Sequence, residues 1–386
     1  MSKATDDSLV ARAKSAAAAV AALADRTENE RRMPAEGVRA LVDAGVFKLL
    51  VPRELGGSEA PIPVVLEVLE AIARADGSAG WCAMIGSTSA LMSVYMDLAV
   101  AKEIYGPTDA ITCGVFAPMG RAERVDGGFR VTGRWPFASG CEHSSYRMGG
   151  AIVVGGEPNL LPSGVPNVQC MLFRSEETRI IDTWDVSGLR GTGSHDIEVE
   201  KVFVPSERSF SLITDKPKHP SPIYRVPFFG VGAAAIAAVA LGIARGAIDA
   251  IVALARSKMP LGAKRSIAHR ELVQLQMAQA ESKVRAARAF LYEAVADAAH
   301  EAEAGELSLE KRALIRAAAS HAAEESAAAV ALAYHTGGAT SIYSKNPLQR
   351  HFRDIHVVTQ HIMVGPVSAT LAGRVLLGLE SDTSTL

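Results

Sequence analysis

At 386 residues and 40.6 kDa the chain exceeds one ordinary domain and is no peptide hormone or small disulfide scaffold. Hydrophobic residues make up 48% and charged residues 21%, which argues against a long disordered chain and for a large core. Forty basic against forty-two acidic side chains leave a formal charge of -2 with no basic block, so nucleic acid is not an expected partner. The four cysteines, Cys82, Cys113, Cys141 and Cys170, show neither CxxC nor Cys/His metal spacing, which points to a reducing compartment and no metal. Asp6 and Asp7 interrupt an N-terminus without an export-type apolar core, and the expected location is cytoplasmic.

In chain order, residues 1–110 read as a helical domain. Val38, Leu41, Val42, Val46 and Leu49 precede the breakers Pro52 and Gly56-Gly57. Helices are expected over Ile62–Ala73 and Trp81–Tyr105, with Asp76, Gly77 and Ser78 supplying turn and N-cap chemistry between them. Residues 111–222 show period-two alternation, Phe129 and Val131 with Arg130 and Thr132, Ile197 and Val199 with Glu198 and Glu200, and read as a β-barrel domain. Asp126-Gly127-Gly128 is a hairpin signal, because glycine tolerates the positive φ of tight turns, and GGEPNLLPSGVPN is a loop between strands.

Residues 223–386 return to helical spacing, with breaks at Met259–Gly262, Gly305, Gly337-Gly338 and Asn346-Pro347 that leave room for a four-helix bundle. Pro227–Ala244 carries no charge and approaches the length of a membrane span. Its Ala and Gly bring little transfer free energy, and Arg245 and Asp249 follow at once, so a helix buried among helices is expected. Helix, strand and helix in blocks predict an α+β subunit with a β middle between two helical parts.

The segments GVFKLLVPRELGG, DGSAGW, GVFAPMGRAERVDGGFRVTGRWPFASGCEHSS, GLRGTGSHDIEVEKVFVP and GGATSIYSKNPLQRHFRDIH occur in this order between about Arg31 and Leu379. Together they resemble the acyl-CoA dehydrogenase superfamily, more narrowly its flavin-dependent monooxygenases that hydroxylate aromatic compounds with a separate reductase. The dehydrogenases usually carry their catalytic carboxylate in a Tyr-Glu-Gly-Thr segment soon after an Arg-Asp pair. Here IHVVTQHIMVGP follows Arg353-Asp354 and places His361 and Ile362 where that Tyr and Glu would fall. Two features resemble the monooxygenase branch: Ser139 in an SGCxH segment after a Trp-containing strand, and His361 at the end of RDxHxxxxH.

The resemblance implies reduced FMN or FAD, O2, and a flavin C4a-hydroperoxide whose distal oxygen passes to a phenolic or indolic small molecule. Nothing in the sequence binds a nicotinamide, so a separate NAD(P)H-dependent flavin reductase is the implied partner. Ser139 near the flavin N5, with apolar Trp135 and Phe137 beside it, is expected to slow peroxide loss. His361 is expected to take the substrate proton or pass one to the distal oxygen. His356, five residues earlier, would lie about 140° around a shared helix, so only one of the two faces the flavin, and His361 ranks first. His143 is a candidate from the β side and Trp81 a candidate substrate contact. Phe116, Ala117 and Met119, with the run Trp135–Ser139, are expected to line the ring. GLRGTGSHD lacks the strand-GxGxxG-helix context of a Rossmann loop, and its Gly191, Thr192, Gly193 and Ser194 are implied to close the site.

Arg256, in RSKMPLGAKRSIAHRELVQLQ, resembles the arginine that meets flavin phosphates from a neighbouring subunit, although Met259-Pro260 replaces the usual Gln-Phe run. A homotetramer of paired dimers follows, with Leu272, Leu275, Val284 and Leu291 divided between bundle and interface. Met277 and Phe228-Phe229 read as core. Taken without the resemblance, Ser139 is a turn hydroxyl, His361 a helix-face residue, GLRGTGSHD a tight turn, and Arg256, Lys264 and Arg265 a solvated cluster. The alternatives are an acyl-CoA dehydrogenase with a base relocated to Glu142 or Asp249, a flavin N-oxygenase, and a non-enzymatic scaffold.

Overall fold

Apolar side chains at three- and four-residue spacing give α4 (Ile62–Ala75) a face on which Ile62, Val65, Leu66, Leu69 and Ile72 are buried. The computed structural model describes residues 3–155, 159–161 and 163–386. Around α4 stand α1 (Lys3–Ala22), α2 (Ala24–Glu30), α3 (Ala35–Asp43), α5 (Gly77–Ser89) and α6 (Leu98–Tyr105). The helix expected over Trp81–Tyr105 is therefore two helices with a 3-10 segment, Ala90–Tyr95, between them. Asp76 moves the start forward: its carboxylate accepts from Ala79 N at 2.7 Å and N-caps α5 at Gly77.

Helix gives way to strand between Tyr105 and Thr112, and strand to helix between Phe210 and Phe228, the connections in which the expected boundaries fall. The strands are β1 (Thr112–Val125), β2 (Gly128–Trp135), β3 (Tyr146–Val154), β4 (Gln169–Arg174), β5 (Arg179–Ile181), β6 (Asp196–Pro205) and β7 (Ser209–Phe210). They form one seven-stranded sheet in the order β5-β6-β2-β1-β3-β4-β7. The hairpin at Asp126-Gly127 joins β1 to β2, with Gly127 at φ 75°. Among the described residues only the β1–β3 pair is parallel, and its register shifts between Val115 and Gly120. No ladder joins edge strands β5 and β7 among the described residues, so the expected barrel is an open sheet in hydrogen-bonding terms. The loop expected over GGEPNLLPSGVPN lies between β3 and β4; residues 156–158 and 162 of it are outside the described residues.

The expected bundle is built from α7 (Phe228–Ser257), α8 (Glu271–Ala304), α9 (Leu309–Gly337) and α10 (Pro347–Val358), with the short α11 (Pro366–Leu376) added. The apolar stretch of α7 is 94% buried, as expected of a core helix. Its glycines set the approach to α4: a Cβ on Gly242 would lie 2.6 Å from Glu70 O, and one on Gly246 would lie 2.6 Å from Arg74 O. Only glycine lets the two backbones come this close. Val284 and Leu291 are bundle core, and Phe229 is core with Phe228 and Met277 packed against it, whereas Leu272 and Leu275 are exposed.

Candidate active site

Helix α5 carries Trp81 to the junction of the two helical parts with the sheet. The loop after β2 brings Ser139 to it, and Trp81 Nε1 donates to Ser139 Oγ at 3.0 Å. This loop is tied to the segment before β6 by Ala138 N to His195 O (3.0 Å) and Gly140 N to Thr192 O (2.9 Å). Ser139 Oγ lies 2.7 Å from Ser194 Oγ, Ser194 Oγ lies 2.7 Å from Thr192 Oγ1, and Thr192 Oγ1 donates to Leu189 O at 2.8 Å. All four side chains are buried.

The direction of this chain is determined by its ends. An indole N–H only donates and a carbonyl only accepts. Three hydroxyl hydrogens must serve three links, so Thr192 donates to Leu189, Ser194 to Thr192, and Ser139 to Ser194. Ser139 Oγ is left with acceptor capacity and no hydrogen to offer. Asp354, fully buried on α10, supports the far end by accepting from Leu189 N at 2.6 Å. Burial pushes its carboxyl up to about 7.

His361 lies in the turn between α10 and α11, outside any helix. The assumption that His356 and His361 share a helix therefore fails; His356 sits on α10, exposed and edge-on to Phe352. The His361 ring meets Trp81 at 5.7 Å between centroids with an interplanar angle of 62°. Its Nδ1 accepts from Met363 N at 3.2 Å, which places the hydrogen of the neutral ring on Nε2. Desolvation, then the nearby Arg316 charge, hold the imidazole down at about 4, so it is neutral at pH 7. Of the two expected roles, holding a proton for donation is the one this tautomer supports.

The other expected residues divide. Phe116 stands edge-on to Phe229 at 5.0 Å. Ala117 and Met119 are exposed where the β1 register slips, and Phe137 is 68% exposed with φ 66°, edge-on to Trp184 at 6.1 Å. Exposed apolar groups beside a buried acceptor fit a flat heteroaromatic ring with one N–H. Trp135 does not line this surface: it is 0% exposed, packs 5.7 Å from Phe173, and donates to Gly150 O at 2.7 Å. Cβ atoms on Gly120, Gly133 or Gly149 would lie 2.5–2.6 Å from its ring, so these glycines form its slot in the sheet core. Gly191 is corrected too, since a Cβ there would lie 2.1 Å from Thr27 Cγ2 and its N–H donates to Ser78 Oγ at 3.2 Å. It holds the turn against α2 and α5 and does not face an opening.

His143 lines a crevice of about 10 Å³ with Phe47, Cys82, Thr112 and Ser139, room for no more than one water. In this conformation it meets no space for an aromatic ring. Arg256 lies in the last turn of α7, exposed and without an ion pair among the described residues. At 1.5 Å per residue, about 40 Å of helix separates it from Phe229. One subunit therefore does not bring Arg256 to its own Ser139 and His361.

Of the two carboxylates considered as relocated bases, Asp249 pairs with Arg74 at 2.6 Å, and Glu142 pairs through Oε1 with Arg32 at 3.4 Å while its Oε2 is buried without a partner among the described residues. Sequence reasoning missed Arg316 and Asp354. Arg316 left a trace, a lone cation on the buried Ala-rich stripe of α9 with Ala313 and Ser320. Asp354 was only a reference point for counting, and nothing local in its sequence announces the Leu189 contact.

Family models for the acyl-CoA dehydrogenase N-terminal domain and C-terminal domain match residues 6–99 and 234–366. An indole-3-acetate monooxygenase of Pseudomonas putida is 36% identical over 354 residues, 91% of this chain and 89% of the relative. HsaA of Rhodococcus jostii, the oxygenase subunit of a flavin-dependent monooxygenase, is 32% identical over 358 residues, 90% of this chain and 92% of its own. The solved structure of XiaF from Streptomyces sp., in complex with FADH2 and glycerol, is similar with a TM-score of 0.88 and 25% identity, over 98% of this chain and 97% of that one. With relatives that match along nearly its whole length, the chain belongs to the acyl-CoA dehydrogenase superfamily and, within it, to the flavin-dependent monooxygenases.

Proposed function

We propose that the protein is the oxygenase component of a two-component system, taking reduced flavin from a separate NAD(P)H-dependent reductase and hydroxylating a phenolic or indolic small molecule with O2. The observation that carries this reading is the polarity of the hydroxyl chain. Ser139 accepts from Trp81 and donates to Ser194, so only an incoming donor completes it. Reduced flavin has an N–H at N5 and oxidised flavin has none, so the site matches the reduced form. When bound, the reduced flavin supplies the electrons that activate O2.

Ser139 would hold the N5 proton in place, and buried Trp81 and Phe229 would keep water away. His361, neutral and carrying hydrogen on Nε2, would donate toward the oxygen being transferred or toward the substrate. FADH2, the flavin named with XiaF, is the first flavin to test against FMNH2. Arg256 would reach flavin phosphates only from another copy of the chain, which supports a homotetramer, and the exposed Leu272 and Leu275 offer apolar surface for the contact.

The test is to mix the reduced-flavin complex with O2 in the presence of a panel of phenols and indoles, and to count hydroxylated product against hydrogen peroxide. Coupled product with at least one ring is expected. Return of all reducing equivalents as peroxide with every ring, or bleaching of bound flavin by acyl-CoA thioesters under anaerobic conditions, would overturn the proposal.

A further inference from the structure

Arg316, on α9, is 5% exposed and pairs with no carboxylate among the described residues. Nη1 donates to Phe229 O at 3.1 Å, and Nε has no hydrogen-bond partner among the described residues. One turn further along the same face, the buried Ser320 Oγ is also unpartnered. An isolated buried charge is costly, and native proteins pair such groups or leave them to a ligand. Burial alone acts on this guanidinium, pushing it down to about 10, so it remains a cation at neutral pH.

Its surroundings belong to the site. Phe229 meets Phe116 at 5.0 Å. Three residues along α7, a Cβ on Gly232 would lie 3.2 Å from Met363 Sδ, and Met363 N is the group that donates to His361 Nδ1. The Arg316 charge is felt at His361 itself. Pro227, the N-cap of α7, offers no side-chain cap, so the first-turn amides and the helix dipole add positive potential at the same end. Buried cation, open helix terminus and aromatic edges thus lie on the same side of the site as the neutral imidazole, and no carboxylate among the described residues pairs with the cation.

We propose that Arg316 anchors a carboxylate on the aromatic substrate, so that the enzyme prefers arylalkanoic acids of the arylacetate type to the same ring without the acid. This rests on the aromatic hydroxylation proposed above. The acid binds with its carboxylate on the guanidinium and its ring between the phenylalanine edges and His361. A flavin phosphate would satisfy the same cation chemistry, and the test separates the two anions.

Equilibrium binding of indole-3-acetate and of 3-methylindole is measured by Trp fluorescence, without flavin and with FAD, for the wild-type protein, Arg316→Lys and Arg316→Met. Wild-type protein is expected to prefer the acid, and Arg316→Met to lose about 10- to 100-fold for the acid with little change for 3-methylindole. Arg316→Lys, which keeps the charge, is expected to fall between. Equal wild-type affinity for the two compounds, followed by turnover of both, overturns the inference and leaves the hydroxylase reading standing. Loss of FMN binding relative to riboflavin in Arg316→Met, with acid preference retained, overturns it in favour of a phosphate contact. Binding and turnover of neither compound by the wild-type protein overturns both readings.

Discussion

The two sides of the candidate site treat their polar groups in opposite ways. On the sheet side, Trp81, Ser139, Ser194, Thr192 and Leu189 O form a sequence of donors and acceptors in which each hydrogen has one destination and only acceptor capacity on Ser139 is left open. On the helix side, His361 has one ring nitrogen engaged, and Arg316 has Nε unpartnered. His361 is half-buried, but Arg316 is as buried as the sheet-side hydroxyls, so exposure does not account for the difference. A network whose hydrogens are all assigned within the protein orients its members before any ligand arrives, whereas buried donors left unused carry a cost that a ligand relieves. The sheet side is therefore built to hold and the helix side to receive.

The largest expected effect comes from the receiving side. His361→Ala should slow coupled product formation by about 100-fold or more, the usual scale for a positioned proton donor. Rapid-mixing measurement of product formation checks it, and an unchanged rate would make the imidazole a packing residue. Next, Ser139→Ala on the holding side removes the acceptor for flavin N–H and leaves Trp81 Nε1 and Ser194 without their partner. The share of reducing equivalents lost as hydrogen peroxide should rise by roughly an order of magnitude, with about 1–3 kcal/mol lost from unfolding stability. Peroxide assay and denaturant titration read the two parts separately.

Ser194→Ala sharpens the comparison further, because Ser194 contacts Ser139 and Thr192 and acts on the flavin N–H only through the orientation of Ser139. Peroxide loss should rise by roughly threefold, and stability should fall by about 1 kcal/mol. An effect as large as that of Ser139→Ala would place Ser194 itself in contact with the flavin. The smallest effect is a null one in pH. With His361 held down at about 4, its charge does not change between pH 6 and 8, and the coupling ratio should be flat there. Because the folded value lies below the ordinary 6.5, the unfolded chain takes up the proton first, so this histidine's contribution to stability is complete above 6.5 and is lost as pH falls toward 4. A coupling titration centred near 6.5 that disappears in His361→Ala would show the imidazole to be solvated.

Much of this was legible along the chain. The shift from helical spacing to period two and back placed the blocks, and turn residues such as Asp126-Gly127 and Asp76 marked their joints. Ser139, Trp81, Thr192 and His361, singled out along the chain, are linked in the structure by hydrogen bonds and by the Trp81–His361 ring contact. Trp135 misled because a tryptophan beside a functional serine resembles a lining residue, while the glycines that form its slot lie on three different strands. His361 was assigned the wrong local structure because α10 stops at Val358, where no glycine or proline follows to announce it. The boundary of α5 shifted because one carboxylate cap outweighs a few residues of spacing.

Local chemistry written in the residue order determined the elements: periodicity selects helix or strand, and Gly, Asp and Pro end them through backbone sterics and capping. The tertiary structure alone decided which polar groups are paired. The partners of Ser139 come from positions 81 and 194, and the group that Arg316 reaches belongs to position 229. Hydrogen bonds and charges act over a few ångströms in space, and no spacing along the chain specifies which segments approach to that distance.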